Sequence, residues 1–339
     1  MTFELFFYLV IITAMACYAM LDGFDLGVGI LHPLAKTDTE RRIFLNAIGP
    51  VWDGNEVWLV IVAGGLFAGF PEVFATIFSA FYNATIALLM GLIFRAVSIE
   101  FRSKSESPTW RRNWDYIFFF GSLIIAFGVG LVAGNVIEGL PLDSNFDYQG
   151  SFFGFFHIYS TFVGLCAVSL FAMHGAIYLV MKTEGELHDR LRSWIPKCIG
   201  IFMLFYGITT VLTIVTKPYM VEPMLKYPVL FLVPLFALGA IVSVPILMKK
   251  KRDGWAFVSS CISISLLLSL SAIGTFPNMI RSTIDTAQNS LTIYNSSSST
   301  LTLKVLAIIV SVGIPMVLAY GFYIYRVFRG KVVLDERSY

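Results

Sequence analysis

The run Tyr18-Ala19-Met20-Leu21-Asp22-Gly23-Phe24-Asp25-Leu26-Gly27-Val28-Gly29-Ile30-Leu31-His32 sets two carboxylates inside an apolar, helix-length segment. A second run, Pro50-Val51-Trp52-Asp53-Gly54-Asn55-Glu56, opens the next apolar segment with two more. What these acids do depends on the solvent around them. Of 339 residues, 57% are hydrophobic and only 14% charged, with 31 Phe and a mean hydropathy of +0.77. A soluble domain carries about 25% charged residues. Long apolar runs account for that balance better than an enlarged soluble core does.

Nine such runs can be marked, at about 6–30, 50–70, 73–99, 116–137, 152–181, 199–215, 229–248, 255–277 and 301–327. Each is near or above the ~20 residues that cross a ~30 Å hydrocarbon core. The sequence therefore predicts an all-α polytopic membrane protein, one integral membrane domain over residues 1–339 with nine transmembrane helices. Pro50 suits the first turn of the second span, and residues 278–300 read as a polar loop. No cleavable signal peptide is expected, because Glu4 precedes the first span and no basic n-region does.

The cations give the chain a direction. Connections after the odd spans carry Lys36, Arg41 and Arg42, then Arg102, Lys104, Arg111 and Arg112, then Lys182, Arg190, Arg192 and Lys197, then Lys249 to Arg252, and finally the charged tail. Those after the even spans carry Lys217, Lys226 and Arg281. This is the positive-inside pattern, with the N-terminus outside and the C-terminus cytoplasmic. One span more or fewer near the middle would put the later basic loops on the wrong side.

Depth follows from the ~1.5 Å rise per helical residue. If the first helix leaves the hydrocarbon near His32, Asp25 lies about 10 Å inside and Asp22 about 15 Å inside, three apart on one face. Gly23, Gly27 and Gly29 beside them allow another backbone to approach, as do Gly64-Gly65, Gly128, Gly130 and Gly134. Asp53 and Glu56 share the start of span two, and Arg95 and Glu100 the end of span three. All six ionisable groups fall in the cytoplasmic half of the membrane. One reading is a hydrated proton path with Arg95 as a fixed countercharge. The other is a set of interhelical pairs and helix caps, which suits Glu56 and Glu100 better than the deep Asp25.

Other chemistry is thinly represented. Cys17, Cys166, Cys198 and Cys261 lie in or beside apolar runs without metal-ligand spacing and read as small buried hydrophobes. His157 and His174 stand about 25 Å apart along one helix and cannot share an iron. His174 reads as an interhelical hydrogen-bonding group and His157 as lining an outer-side cavity, with His32 at a cytoplasmic exit and His188 in a loop. No catalytic, cofactor-binding or metal site is expected within the chain. The basic patches flank spans, where topology and anionic lipid explain them better than nucleic acid does.

At this point the residues carry a pattern. Leu21-Asp22-Gly23-Phe24-Asp25-Leu26-Gly27-Val28-Gly29, Thr39-Glu40-Arg41-Arg42, the Gly49 to Leu59 run and Phe94-Arg95 through Lys104 resemble subunit II of the cytochrome bd-type quinol oxidases. Gly185-Glu186-Leu187-His188, Phe276-Pro277 and the Ser296 to Leu303 run extend the resemblance over essentially the whole chain. It implies two four-helix bundles plus a peripheral helix, paired with a similarly folded subunit I in a bacterial or archaeal cytoplasmic membrane. In that family subunit I holds two b haems and one d haem, oxidises quinol and reduces dioxygen to water. Subunit II stabilises it and contributes a cytoplasmic proton path, which the resemblance carries onto Asp25, Asp53 and Arg95, with Glu100 next. The resemblance also brings a structural quinone and a small accessory membrane subunit as candidates, each held by some members. The connection between the sixth and seventh spans is short beside members that have an insertion there.

Two alternatives share the packing features. A proton-coupled secondary transporter would explain many spans and buried acids, but no inverted repeat with paired broken helices is evident. A pure assembly scaffold differs from the proton-path reading only in whether the acids exchange protons.

Overall fold

A computed structural model describes residues 2–334 and Ser338; the tail residues 335–337 and Tyr339, counted above as part of the charged tail, lie outside these. The apolar runs form helices because their backbone polar groups find partners within the segment, the only open-chain solution in hydrocarbon. In order these are α1 (Phe3–Leu31), α2 (Asp38–Ile48), α3 (Trp52–Gly69), α4 (Pro71–Ala80), α5 (Tyr82–Phe101), α6 (Pro108–Glu138) and α7 (Ile158–Lys182). They continue as α8 (Gly185–Thr216), the short α9 (Glu222–Lys226), α10 (Leu232–Lys249), α11 (Asp253–Thr275), the single turn α12 (Thr286–Asn289) and α13 (Thr300–Val327). Among the described residues eight helices are long and apolar enough to cross a membrane, or nine if α2 and α3, bent by 48°, count as one span.

Contacts between loops show which helix ends lie together. At one end Arg111 and Arg102 bond Asp38 at 2.9 and 2.8 Å, Arg190 pairs with Glu40, Arg192 holds Asp253 at 2.6 Å, and Lys331 reaches the Val180 carbonyl at 3.3 Å. These ties join every connection that follows an odd span in the sequence. At the opposite end Ser298 donates to the Gly69 carbonyl, Lys217 pairs with Glu138, and Leu140 donates to the Arg281 carbonyl. α3 runs from the basic end to Gly69 and so connects the two ends.

Several boundaries differ from the sequence reading, for local reasons. Span three breaks at Phe81, the residue between α4 and α5. Pro50 lies in the turn before α3, whose N-cap is Val51. Span five begins at Ile158, with residues 152–155 a separate 3-10 turn and the His157 side chain capping the helix by accepting from Ser160 N. The connection after span one contains α2, started by Thr37 Oγ1 accepting from Glu40 N at 3.2 Å. The sixth helix extends far outside its apolar run, through Pro196. The polar loop after span eight holds a two-stranded antiparallel ribbon, Asn278–Ile280 with Leu291–Thr292, accompanied by isolated bridges of Leu140 with Ser282 and Leu142 with Tyr148.

At the centre stands α1, packed on α3, α6, α7 and α11. Its closest neighbour is α7. A Cβ at Gly27 would lie 1.9 Å from the Phe171 carbonyl oxygen, and one at Gly175 2.5 Å from the Gly27 carbonyl carbon, so only two glycines allow this approach. By contrast Gly64 and Gly128 have open space beside them and do not serve the close packing expected of them. The second half closes in a ring, α7 on α8, α8 on α10, α10 on α11 and α11 on α7, while α13 packs chiefly on α1 and α3.

Candidate functional site

The acids of α1 lie where α3 and α5 converge on it. Asp22, Asp25 and Arg95 are all wholly buried. One nitrogen, Arg95 Nη2, donates to Asp22 Oδ1 at 2.6 Å and also to Glu56 Oε1. The guanidinium is thereby shared between two helices, with charge-assisted bonds to each. Asp25 takes no part in that pairing. Its Oδ2 accepts from Asn55 Nδ2 at 2.7 Å, and the same amide donates to the Leu21 carbonyl at 3.2 Å. On the far side Asn55 Oδ1 accepts from the Tyr325 hydroxyl at 2.8 Å.

This cluster leaves unusual groups without protein partners. Asp22 Oδ2, Asp25 Oδ1, Arg95 Nε and Nη1 and the Tyr18 hydroxyl are buried with no hydrogen bond to the protein. Buried polar atoms ordinarily find partners, and a cluster that does not is expensive to keep. Next to Asn55 is a cavity of about 30 Å³ between α3 and α13, lined also by Leu21, Trp58, Tyr320 and Tyr325. A space of about 10–15 Å³ or more can hold a water.

Two of the six expected residues stand apart. Asp53 is exposed in the first turn of α3, and Glu100 is exposed near the end of α5. Position around and along the helix explains both. Five residues from Arg95 place Glu100 about 140° around the helix, whereas Asp53, three residues before Glu56 and on its side of α3, lies a turn nearer the helix start. Asp53 instead heads an exposed stripe with Val57, Val60, Gly64 and Phe67.

A second network at the basic end was not legible beforehand. Asp115 Oδ1 lies 2.6 Å from both His32 Nε2 and Arg102 Nε, and its Oδ2 accepts from Arg102 at 3.3 Å and Arg41 at 3.4 Å. Asp115 immediately precedes Tyr116, where the apolar run begins, so it read as loop. Its partners His32, Arg41 and Arg102 carried no signal beyond ordinary loop charge.

The histidines bear on haem. His174 Nε2 donates to the Met20 carbonyl at 2.9 Å, and Nδ1 lies 2.7 Å from Ser260 Oγ. Its ring is stacked on Phe257 with centroids 4.8 Å apart. With both nitrogens engaged in a packed core, it does not fit an axial ligand. His157 Nε2 lies 3.2 Å from Asn135 Oδ1, and its Nδ1 is used in the cap. Among the described residues no three His, Cys, Asp or Glu side chains are grouped so as to hold a metal ion.

Comparison with known proteins decides what this arrangement belongs to. The family model for cytochrome bd terminal oxidase subunit II matches residues 3–328. The chain belongs to that family. Among relatives of the bd subunit II family, cytochrome bd-I ubiquinol oxidase subunit 2 of Escherichia coli K12 is 32% identical, over 94% of this chain and 92% of that one. Cytochrome bd ubiquinol oxidase subunit 2 of Bacillus subtilis 168 is also 32% identical, over 98% and 97%. The fold matches a chain of the bd oxidase from Geobacillus thermodenitrificans with a TM-score of 0.77, covering 97% and 99% at 18% identity. As a bd oxidase subunit II, the chain is a multi-pass protein of the bacterial cytoplasmic membrane and a component of the electron-transport chain.

Proposed function

We propose that the chain is the haem-free partner in a quinol:dioxygen oxidoreductase, with its N-terminus outside and its C-terminus in the cytoplasm. It stabilises a haem-bearing subunit I and leads cytoplasmic protons toward the site of oxygen reduction. Haems b and d belong to subunit I and supply the electron-transfer and oxygen chemistry. Alone, this chain is not an oxidase. The orientation is supported by the gathering of the basic connections at one end. The helix contacts support a single membrane domain of two four-helix groups, α1, α3, α5 and α6 beside α7, α8, α10 and α11, with α13 peripheral.

The observation that carries the proton-path reading is the set Asp22, Asp25, Glu56 and Arg95, in which one cation faces two of three carboxyl groups. The third, Asp25, meets only the Asn55 amide. A carboxyl that is not itself ion-paired can take and release a proton without breaking an ion pair. The water-sized cavity at Asn55 offers the approach from the basic end. Asp53, on a largely apolar exposed face of α3 near that end, would be poorly placed against lipid. Its position supports α3 as part of the face that meets subunit I, with this acid at its cytoplasmic edge.

The alternative, an assembly scaffold without proton conduction, is favoured by one observation: Asp53 and Glu100 do not join the Arg95 cluster. Asp25→Asn in the assembled complex separates the two. The proton-path reading expects normal haem spectra with quinol oxidase turnover reduced by at least about a hundredfold, the low end for a lost proton-transfer group. Unchanged turnover would leave the scaffold.

A further inference from the structure

The last helix has the smallest buried share of the long helices, with 6% of its apolar window inside the protein and Leu303 its one fully buried residue. Most of its aromatic side chains face outward. Tyr325 does not. Its hydroxyl reaches across to α3 and donates to Asn55 Oδ1 at 2.8 Å. Asn55, 2% exposed, turns its NH₂ group to Asp25 Oδ2 and the Leu21 carbonyl. An unbroken line of hydrogen bonds therefore runs from a peripheral helix to Asp25, the buried carboxyl group of the cluster that forms no ion pair, along the wall of the cavity between α3 and α13.

The two ends of an asparagine amide are nearly the same size, and a half-turn exchanges them. Turned the wrong way, Oδ1 would face the Asp25 carboxylate and the Leu21 carbonyl, oxygen against oxygen, with no donor between them. Those two acceptors select the orientation of the amide, and the Tyr325 hydroxyl, free to donate, completes it by bonding Oδ1 from the opposite side. It is also one of the few polar groups in the cavity wall. We infer that Tyr325 is a positioning residue for proton uptake at Asp25, acting through the Asn55 amide. This rests on the proton-delivery reading of the site, since Tyr325 has no role to play if Asp25 carries no protons.

The test uses the haem-loaded two-subunit complex carrying Asp25→Asn, Tyr325→Phe or Tyr325→Gln, the last retaining an N–H donor for Asn55. Haem content, the pH profile of quinol oxidase turnover and the infrared carboxyl C=O band that disappears in Asp25→Asn are measured for each. Tyr325→Phe should keep its haem, shift the Asp25 band, and lose about fivefold in turnover, as for one net hydrogen bond. That loss should be greatest on the alkaline side, where protons are scarce. Tyr325→Gln should recover most of it. An unchanged band and profile in Tyr325→Phe would overturn the inference. So would a Gln variant as impaired as the Phe variant, or loss of haem and assembly in the Phe variant, which would make the hydroxyl a structural tether. Should Asp25→Asn keep its turnover, the proton-delivery reading itself fails. Should Asp25→Asn lose turnover while Tyr325→Phe does not, only the role of Tyr325 fails.

Discussion

Two charged clusters lie at different levels of the same helices, and they are built on opposite principles. Around Asp115 every carboxylate oxygen meets a cation or an imidazole, from α2, the end of α5 and the end of α1, and His32 Nδ1 is the one buried atom of these side chains without a protein partner. Around Asp25, deeper along α1, one guanidinium serves two acids and the third has only an amide, while five buried polar atoms have no protein partner. A cluster whose function is to hold helices together is expected to be fully paired. One left incompletely paired inside a membrane is retained at a cost in stability, and that cost points to a task other than packing. The contrast separates the two readings of buried charge better than depth alone.

The largest effect should come from removing the shared cation. Arg95→Gln leaves the buried Asp22 and the half-buried Glu56 without a countercharge, and we expect a loss of about 3–5 kcal/mol, read as failed assembly or a collapsed melting temperature in detergent. Asp115→Ala should cost less, about 2–3 kcal/mol, because Arg102 and Arg41 lie close enough to the basic surface to find water. If Asp115→Ala proved more damaging than Arg95→Gln, the ranking of the two clusters would be reversed. Asp25→Asn sharpens the comparison from the other direction, since it replaces a buried carboxyl group that forms no ion pair with a neutral amide. Its melting temperature should stay the same or rise while turnover is lost.

The smallest effect concerns His157, outside the span at the start of α7. Burial lowers its pKa below the ordinary 6.5 and Lys217 lowers it further, against the opposing pull of Glu138. With the folded value depressed, the unfolded chain takes up the proton first. Stability should therefore be unaffected above about pH 6.5 and drift downward as the pH falls below it. Protonation also removes the Nδ1 lone pair that caps α7. In His157→Asn, which can cap without titrating, the drift in melting temperature between pH 7 and pH 5.5 should vanish.

Much of the architecture could be read in the sequence because membranes impose a coarse rule: apolar length makes a span, and cations sort the loops. The break at Phe81 and the ribbon after α11 escaped it, since both depend on contacts with distant segments, such as Thr76 donating to the Phe146 carbonyl at 3.2 Å. For the site, Asp22, Asp25, Glu56 and Arg95 stood out as charges in apolar surroundings and do come together. Asn55 and Tyr325 did not stand out. An amide carries no charge, and a tyrosine near a helix end is indistinguishable from the aromatic belt until its partner is known. Glu100 was grouped with the others by closeness along the chain, which the turn of the helix overrides, and Asp53 shares a side with Glu56 but sits in the exposed first turn.

The contact between Gly27 and Gly175 has a final consequence. Where two main chains touch with no side chain between them, there is no cushion to absorb a change in volume. Asp25 is two residues away. A single added methyl at Gly27 would work as a wedge, driving the two halves of the molecule apart beside its most costly charges. The spacing of the acids thus depends on a residue that has no chemistry of its own.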